Sequence, residues 1–193
     1  MDIKLVKQLR EKTGASVLEC QKVLEETTGD LIKAEESLRK KGQKIVDKRA
    51  GRETKAGIIG IYLHSNEKVA AMVELTCETD FVARNNEFKE LAHDLAMQVV
   101  ATSPLYLSPE EVPAEIIEKE KEIYQVELKK EKKPVAVIEK IIEGKLNKYF
   151  ENNCLSKQKF IKDDQLTIED LIKLKIAKIG ENIQIRRFVK LEI

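Results

Sequence analysis

Apolar positions along the chain change period several times, and those changes divide it into elements. Ile3, Val6 and Leu9 recur at helical spacing, and the stripe stops near Thr13-Gly14. Ser16 and Glu19 stand at capping-box spacing, so a second helix starts at Ser16 and buries Val17, Cys20, Val23 and Leu24. Gly29 ends it. Asp30 caps a third helix carrying Leu31, Ala34 and Leu38, and Lys40, Lys41 and Gly42 suit its C-terminal end. Residues 1–41 thus predict a three-helix module with a thin core. Residues 42–56 are dominated by Lys44, Lys48, Arg49, Arg52 and Lys55, which reads as a basic linker or an exposed helix.

The period then shortens. Residues 57–63 and 69–77 are rich in β-branched and aliphatic side chains, and Ser65-Asn66-Glu67-Lys68 separates them. The pattern predicts an antiparallel hairpin, although periodicity alone leaves a helix open. Both runs are more continuous than alternating, which predicts strands covered on both faces. Phe88, Leu91, Ala92, Leu95, Ala96, Val99 and Val100 form an unbroken helical stripe, capped by Asn85 or Asn86 and ended by Ser103-Pro104. Ser108-Pro109-Glu110-Glu111 starts another helix that Pro113 limits to a turn. Residues 114–132 form a charged helix with Ile116, Ile117, Ile123 and Leu128. After Pro134, Val135, Ile138, Ile141, Ile142, Leu146 and Tyr149 make a second stripe, so the two helices lie antiparallel as a projecting arm at about residues 114–150. A helix over about residues 167–179 ends at Gly180. The closing strand carries Ile183 and Ile185, then Val189, Leu191 and Ile193, and its phase changes at Phe188 as at a bulge. It joins the hairpin. The fold class is α+β: a three-helix, ubiquitin-associated-like module (1–41), a basic linker (42–56), and a core (57–193) with a small antiparallel sheet, packed helices and the helical arm.

Composition narrows what such a fold can do. Hydrophobic residues make up 42% and charged residues 36% of the 193. The 35 basic and 34 acidic side chains leave a net charge of +1, without the basic excess of a dedicated nucleic-acid binder. Shape and apolar contacts, rather than bulk charge, should select the partner. No apolar run reaches the length of a membrane span, and Met1-Asp2-Ile3-Lys4 lacks the basic head and apolar stretch of a signal peptide. Cys20, Cys77 and Cys154 are odd in number and far apart, so neither a disulfide framework nor a zinc site is indicated and a reducing cytoplasm fits. His64 and His93 are isolated, and no phosphate-binding glycine loop is present, so no metal, cofactor or bound nucleotide is expected.

Three features carry competing readings. Cys77 beside Glu78 and Asp80, with His93 downstream, could pair a nucleophile with a base, but nothing in the spacing joins them and a buried structural cysteine is favoured. The basic stretch from Lys40 to Lys55 could touch RNA, but it has no interleaved aromatic side chains for base stacking. Phe81, following a strand, reads on its own as a core residue, and Asp80 as a turn cap.

Three segments together resemble the short form of the elongation factor Ts family: LVKQLREKTGASVLECQKVL at residues 5–24, ELTCETDFVARNNEF at 74–88, and IAKIGENIQIRRF at 176–188. Their order and spacing match, and the likeness runs from about residue 3 to 193. Thr79-Asp80-Phe81-Val82, directly after a strand, is the most specific element. The first segment is less so, since ubiquitin-associated domains and ribosome-associated chaperones have similar units. The resemblance implies a guanine-nucleotide exchange factor for elongation factor Tu, with no catalytic residues. It implies that the N-terminal module grips the nucleotide domain of Tu through Arg10, Val17 and Leu18. It implies that Thr79, Asp80, Phe81 and Val82 form the exchange loop, with Phe81 wedged between helices of Tu. Longer members carry a second half of the core that this chain lacks, and a homodimer would compensate. Relatives also have more glycine than the hairpin tip Ser65-Asn66-Glu67-Lys68. Without the resemblance, a ribosome- or RNA-associated module and a small cysteine enzyme stay open.

Overall fold

The computed structural model describes residues 2–129 and 134–193. Its α+β architecture starts with α1 (Ile3–Thr13), α2 (Val17–Glu26) and α3 (Leu31–Arg49). Strands β1 (Ala56–Leu63) and β2 (Val69–Cys77) follow, then the short α4 (Asp80–Ala83) and the long α5 (Asn86–Thr102). A 3-10 turn at Pro109–Glu111 leads to α6 (Ala114–Lys129) and α7 (Val135–Asn153). Then come β3 (Lys159–Phe160), β4 (Asp163–Thr167), α8 (Ile168–Ile179) and β5 (Ile183–Glu192). The strands β1-β2-β5 form an antiparallel sheet, and β3-β4 form a separate small one. The chain divides into two compact units. One comprises Met1–Ile58, Leu75–Phe88 and Asp170–Gln184; the other comprises Ile59–Glu74, Lys89–Glu169 and Ile185–Ile193.

In the first unit, α1, α2 and α3 enclose Val6, Leu9, Cys20, Val23, Leu24, Ala34 and Leu38. Each helix starts on a side chain that accepts from its first free N–H groups. Asp2 accepts from Lys4, Ser16 and Glu19 form a complete capping box, and Asp30 accepts from Ile32 and Lys33. Ile3, the first residue of α1, is exposed, and so is Val17 in the first turn of α2; neither joins the core assigned to it by spacing. The third helix also runs further than its sequence suggests. It does not stop at Lys40–Gly42 but continues to Arg49, through half of the basic stretch. Gly42 is a packing residue rather than a cap: a Cβ there would lie 3.3 Å from the Cβ of Ala177 on α8. Glycine lets the two helices approach closely, which outweighs its helix-propensity cost of about 1 kcal/mol. Lys48 and Arg49 then complement the C-terminal end of the helix dipole.

In the second unit, the hairpin closes through the His64 N–H and the Val69 carbonyl at 2.9 Å, which sets Ile61 opposite Met72. Glu67 in the turn has φ 57°, a conformation glycine would adopt more easily, and Asn66 accepts from the Lys68 N–H at 3.0 Å. The sheet is not covered on both faces. Buried Gly60 sits so close to α5 that a Cβ would fall 2.2 Å from the Ala92 carbonyl oxygen, whereas Ile59, Ile61 and Leu63 are more than half exposed. Met72, Val189, Leu191 and Ile193 are exposed as well. The outward phase of β5 changes at Arg186–Arg187, just before Phe188, where both arginines reach Glu74.

Helix α5 buries Phe88, Leu91, Ala92, Leu95, Ala96 and Val99, as its stripe predicts, and Asn85 is its cap, accepting from the Glu87 N–H at 2.9 Å. Buried Gln98 donates to the Lys159 carbonyl and accepts from the Ile161 N–H, holding the β3-β4 hairpin, which no periodicity in the sequence predicts. Helices α6 and α7 pack on each other through Leu128 and Ile142, with an ion pair between Glu127 and Lys145. The expected extension of the first arm helix to Lys132 lies outside the described residues.

Candidate functional site

Strand β2 ends at Cys77, which is fully buried and donates its thiol proton to the Thr79 carbonyl at 3.1 Å. Burial, with the nearby charge of Glu181, pushes this thiol up to about 11. A neutral, enclosed thiol is a poor nucleophile. His93 meanwhile places Nδ1 3.0 Å from the Ile61 carbonyl oxygen. Among the described residues, no group of three His, Cys, Asp or Glu is arranged to hold a metal ion. No described helix is long and apolar enough to cross a membrane.

Beyond Cys77 the chain turns. Glu78 accepts from the Asn182 N–H at 2.7 Å and from Arg49 and Arg52, each at 3.1 Å. Burial raises the Glu78 carboxyl, but the Asn182 N–H and the two guanidinium groups more than offset it, and the group sits below its ordinary value. Thr79 follows in extended conformation at the N-cap of α4, yet its side chain makes no capping bond to the helix. Instead its hydroxyl donates to Glu181 Oε1 at 2.7 Å and its N–H to Glu181 Oε2 at 3.0 Å.

As a sequence, Thr79-Asp80-Phe81-Val82 reads as a loop with Asp80 as a candidate cap. The structure makes it one helical turn with Thr79 in the cap position and Asp80 first in the helix, paired with Arg84 at 3.0 Å. Ala83 is buried against the unit and Val82 is half-buried, and this phase aims Phe81 outward. Phe81 is 83% exposed, so the core reading of this residue is wrong. Leaving a phenylalanine in water forgoes about 1.5–3 kcal/mol of burial. Here the cost falls on a turn of four residues that is anchored at its base and open at its tip.

Arg10, Val17 and Leu18 lie at the α1–α2 corner. Gly14, at φ 67°, ends α1, and the capping box fixes the start of α2. Leu18 is 78% exposed and Val17 also faces water, so both open outward, with Arg10 exposed in the last turn of α1. Among the described residues, no hydrogen bond or ion pair joins this corner directly to Thr79–Val82. Both belong to one compact unit, however. The stem of Lys178 passes 3.9 Å from where a Cβ on Gly14 would stand, and its ammonium bonds Glu87, in the first turn of α5, at 2.7 Å. Lys178, Glu181 and Asn182 carry no signal of their own in the sequence. Glu78, Glu181 and Asn182 lie in segments that carry the resemblance, but only folding brings them together beneath one turn.

An exposed apolar side chain thus stands on an anchored turn, and a second exposed apolar corner lies in the same unit. The family model described as Elongation factor TS matches residues 3–175. The elongation factor Ts of Thermosipho melanesiensis is 58% identical over 190 residues, covering 98% of this chain and 97% of that protein. Those of Fervidobacterium nodosum and Thermotoga maritima are 55% and 56% identical over 189 residues, covering 98% of this chain and 96% and 94% of theirs. These matches define a translation elongation factor. The chain belongs to the elongation factor Ts family.

Proposed function

We propose that this chain promotes release of GDP from elongation factor Tu in the cytoplasm, without catalytic residues and without touching the nucleotide itself. The observation that carries this reading is Phe81, 83% exposed on a turn whose neighbours are fixed. A GTPase holds GDP through amides around the phosphates and a magnesium ion. An exchange factor needs only to bind the nucleotide-free form better than the GDP form, and each ligand then weakens the other by the same factor. An aromatic ring inserted into a packed region biases a two-state element that holds the phosphates. Phe81 supplies that wedge, Thr79 and Val82 set its direction, and Asp80 meets the polar surroundings. Arg10, Val17 and Leu18 supply the grip that holds Tu while the wedge acts.

The exposed sheet face favours a homodimer. Ile59, Ile61 and Leu63 with Met72, Val189, Leu191 and Ile193 form an apolar surface larger than scattered exposed side chains would make. A second copy of the same face would cover it. The reading rests on that surface.

The test is stopped-flow release of a fluorescent GDP analogue from elongation factor Tu of the same source. Acceleration that saturates with added protein is the expected result. No acceleration by a folded sample would overturn the reading and turn attention to binding of RNA, which would show a steep loss of affinity with salt.

A further inference from the structure

We infer that Glu181 is the positioning residue of the exchange turn, holding Phe81 in its outward aim through Thr79. The inference rests on the exchange reading above and concerns how the wedge is held. A helix of four residues does not sustain itself, because nucleation fixes several dihedral angles for a single hydrogen bond. Thr79, at its N-cap, would ordinarily turn its hydroxyl onto the helix's free N–H groups. Here both the hydroxyl and the amide of Thr79 are taken by the two oxygens of Glu181, at 2.7 and 3.0 Å. That double grip fixes the side-chain rotamer of Thr79 and the direction in which the next residue leaves it.

The carboxylate is itself held from behind. Gly180, at φ 82°, ends α8 with its N–H on the Ile176 carbonyl at 2.8 Å, and the left-handed turn reverses the chain at once. Asn182 is 3% exposed. Its N–H donates to Glu78 at 2.7 Å and its Nδ2 to the Arg52 carbonyl at 2.8 Å. Glu181 therefore springs from a fixed residue pair and reaches across to the one residue from which α4 starts. Without it, the Thr79 hydroxyl is free to rotate onto α4, so the turn can still form but its aim changes. Loss of Glu181 should then impair the wedge without unfolding the unit.

Glu181→Ala and Glu181→Gln, each alone and combined with Phe81→Ala, test this in the full-length chain. In Glu181→Ala the maximal rate of GDP release should fall about tenfold, the scale of one lost charged hydrogen-bond pair. The half-saturating concentration should stay within about twofold, because the grip lies elsewhere. Glu181→Gln keeps one acceptor and should lose about threefold. In the Phe81→Ala background, Glu181→Ala should cost less than about twofold more, since residues acting as one unit are not additive. Amide hydrogen exchange at Thr79, read by NMR on the free chain, should accelerate about tenfold or more in Glu181→Ala.

Unchanged exchange at the Thr79 amide, or losses that multiply in the double variant, would overturn the inference. So would a maximal rate in Glu181→Ala equal to that of the parent chain. If the parent chain itself fails to release GDP, it is the exchange reading that falls, and the Thr79 amide still decides whether Glu181 positions the turn.

Discussion

Replacing Phe81 by alanine removes a ring that the free protein leaves in water, so its effects on folding and on function should separate cleanly. A phenylalanine offers about 200 Å² of side-chain surface for burial. With 83% of the residue exposed, about 170 Å² is free to be covered by a partner. At about 25 cal/mol per Å² this is worth about 4 kcal/mol, and alanine retains about 1 of it. The variant should therefore lose about 3 kcal/mol of interaction in the exchange-competent complex, about a hundredfold in the rate of GDP release at fixed concentration. Its own stability should change by less than about 0.5 kcal/mol, since no packing is lost. Stopped-flow release of a fluorescent GDP analogue reads the first quantity, and urea unfolding followed by circular dichroism reads the second. Release within about twofold of the parent rate would refute the wedge. A large loss of stability would refute the exposed placement of Phe81.

Other expectations follow from the same geometry. Leu18→Asp puts a charge on the exposed corner and should raise the concentration of protein needed for half-maximal release about tenfold or more, leaving the maximal rate nearly unchanged; an unchanged half-saturation point would remove the corner from the grip. Ile61→Lys should convert a homodimer to a monomer in size-exclusion chromatography with light scattering, because it places a charge in the middle of the exposed sheet face. A parent chain that runs as a stable monomer would defeat the dimer outright. Gly42→Val should destabilise the first unit by about 1–3 kcal/mol, since even a bare Cβ would stand 3.3 Å from Ala177. Thermal unfolding of that variant at the parent midpoint would show that α3 and α8 have room to separate.

The helical part of this fold was written locally and could be read locally. The capping box at Ser16 and Glu19, the cap at Asp30 and the stripe from Phe88 to Val99 appear in the structure as their spacing predicts, because each depends on residues within one or two turns. What the sequence hid depends on distant partners. Gly42 reads as a helix end until Ala177 is found beside it. The β3-β4 hairpin has one strand of two residues and another that is mostly polar, and it is held by Gln98 from another helix. The strands of the hairpin look uniformly apolar, yet one face of β1 is open, and which face packing covers depends on distant residues such as Ala92. At the candidate site, Phe81 was legible only through the family resemblance, since a phenylalanine after a strand is ordinarily a core residue. Glu181 was beyond reach in either way: it lies 102 residues from Thr79, and only the folded turn brings the two carboxylate oxygens onto one residue.

The central claim is thermodynamic, that this chain prefers elongation factor Tu without nucleotide. Titration calorimetry against nucleotide-free Tu, and then against Tu saturated with GDP and magnesium, measures that preference directly. The account predicts affinity for the empty form at least about a hundredfold greater, with the affinity of Tu for GDP weakened by the same factor when the chain is bound. Equal affinity for the two forms would contradict it, however tight the complex, because a ligand that binds two states equally shifts neither.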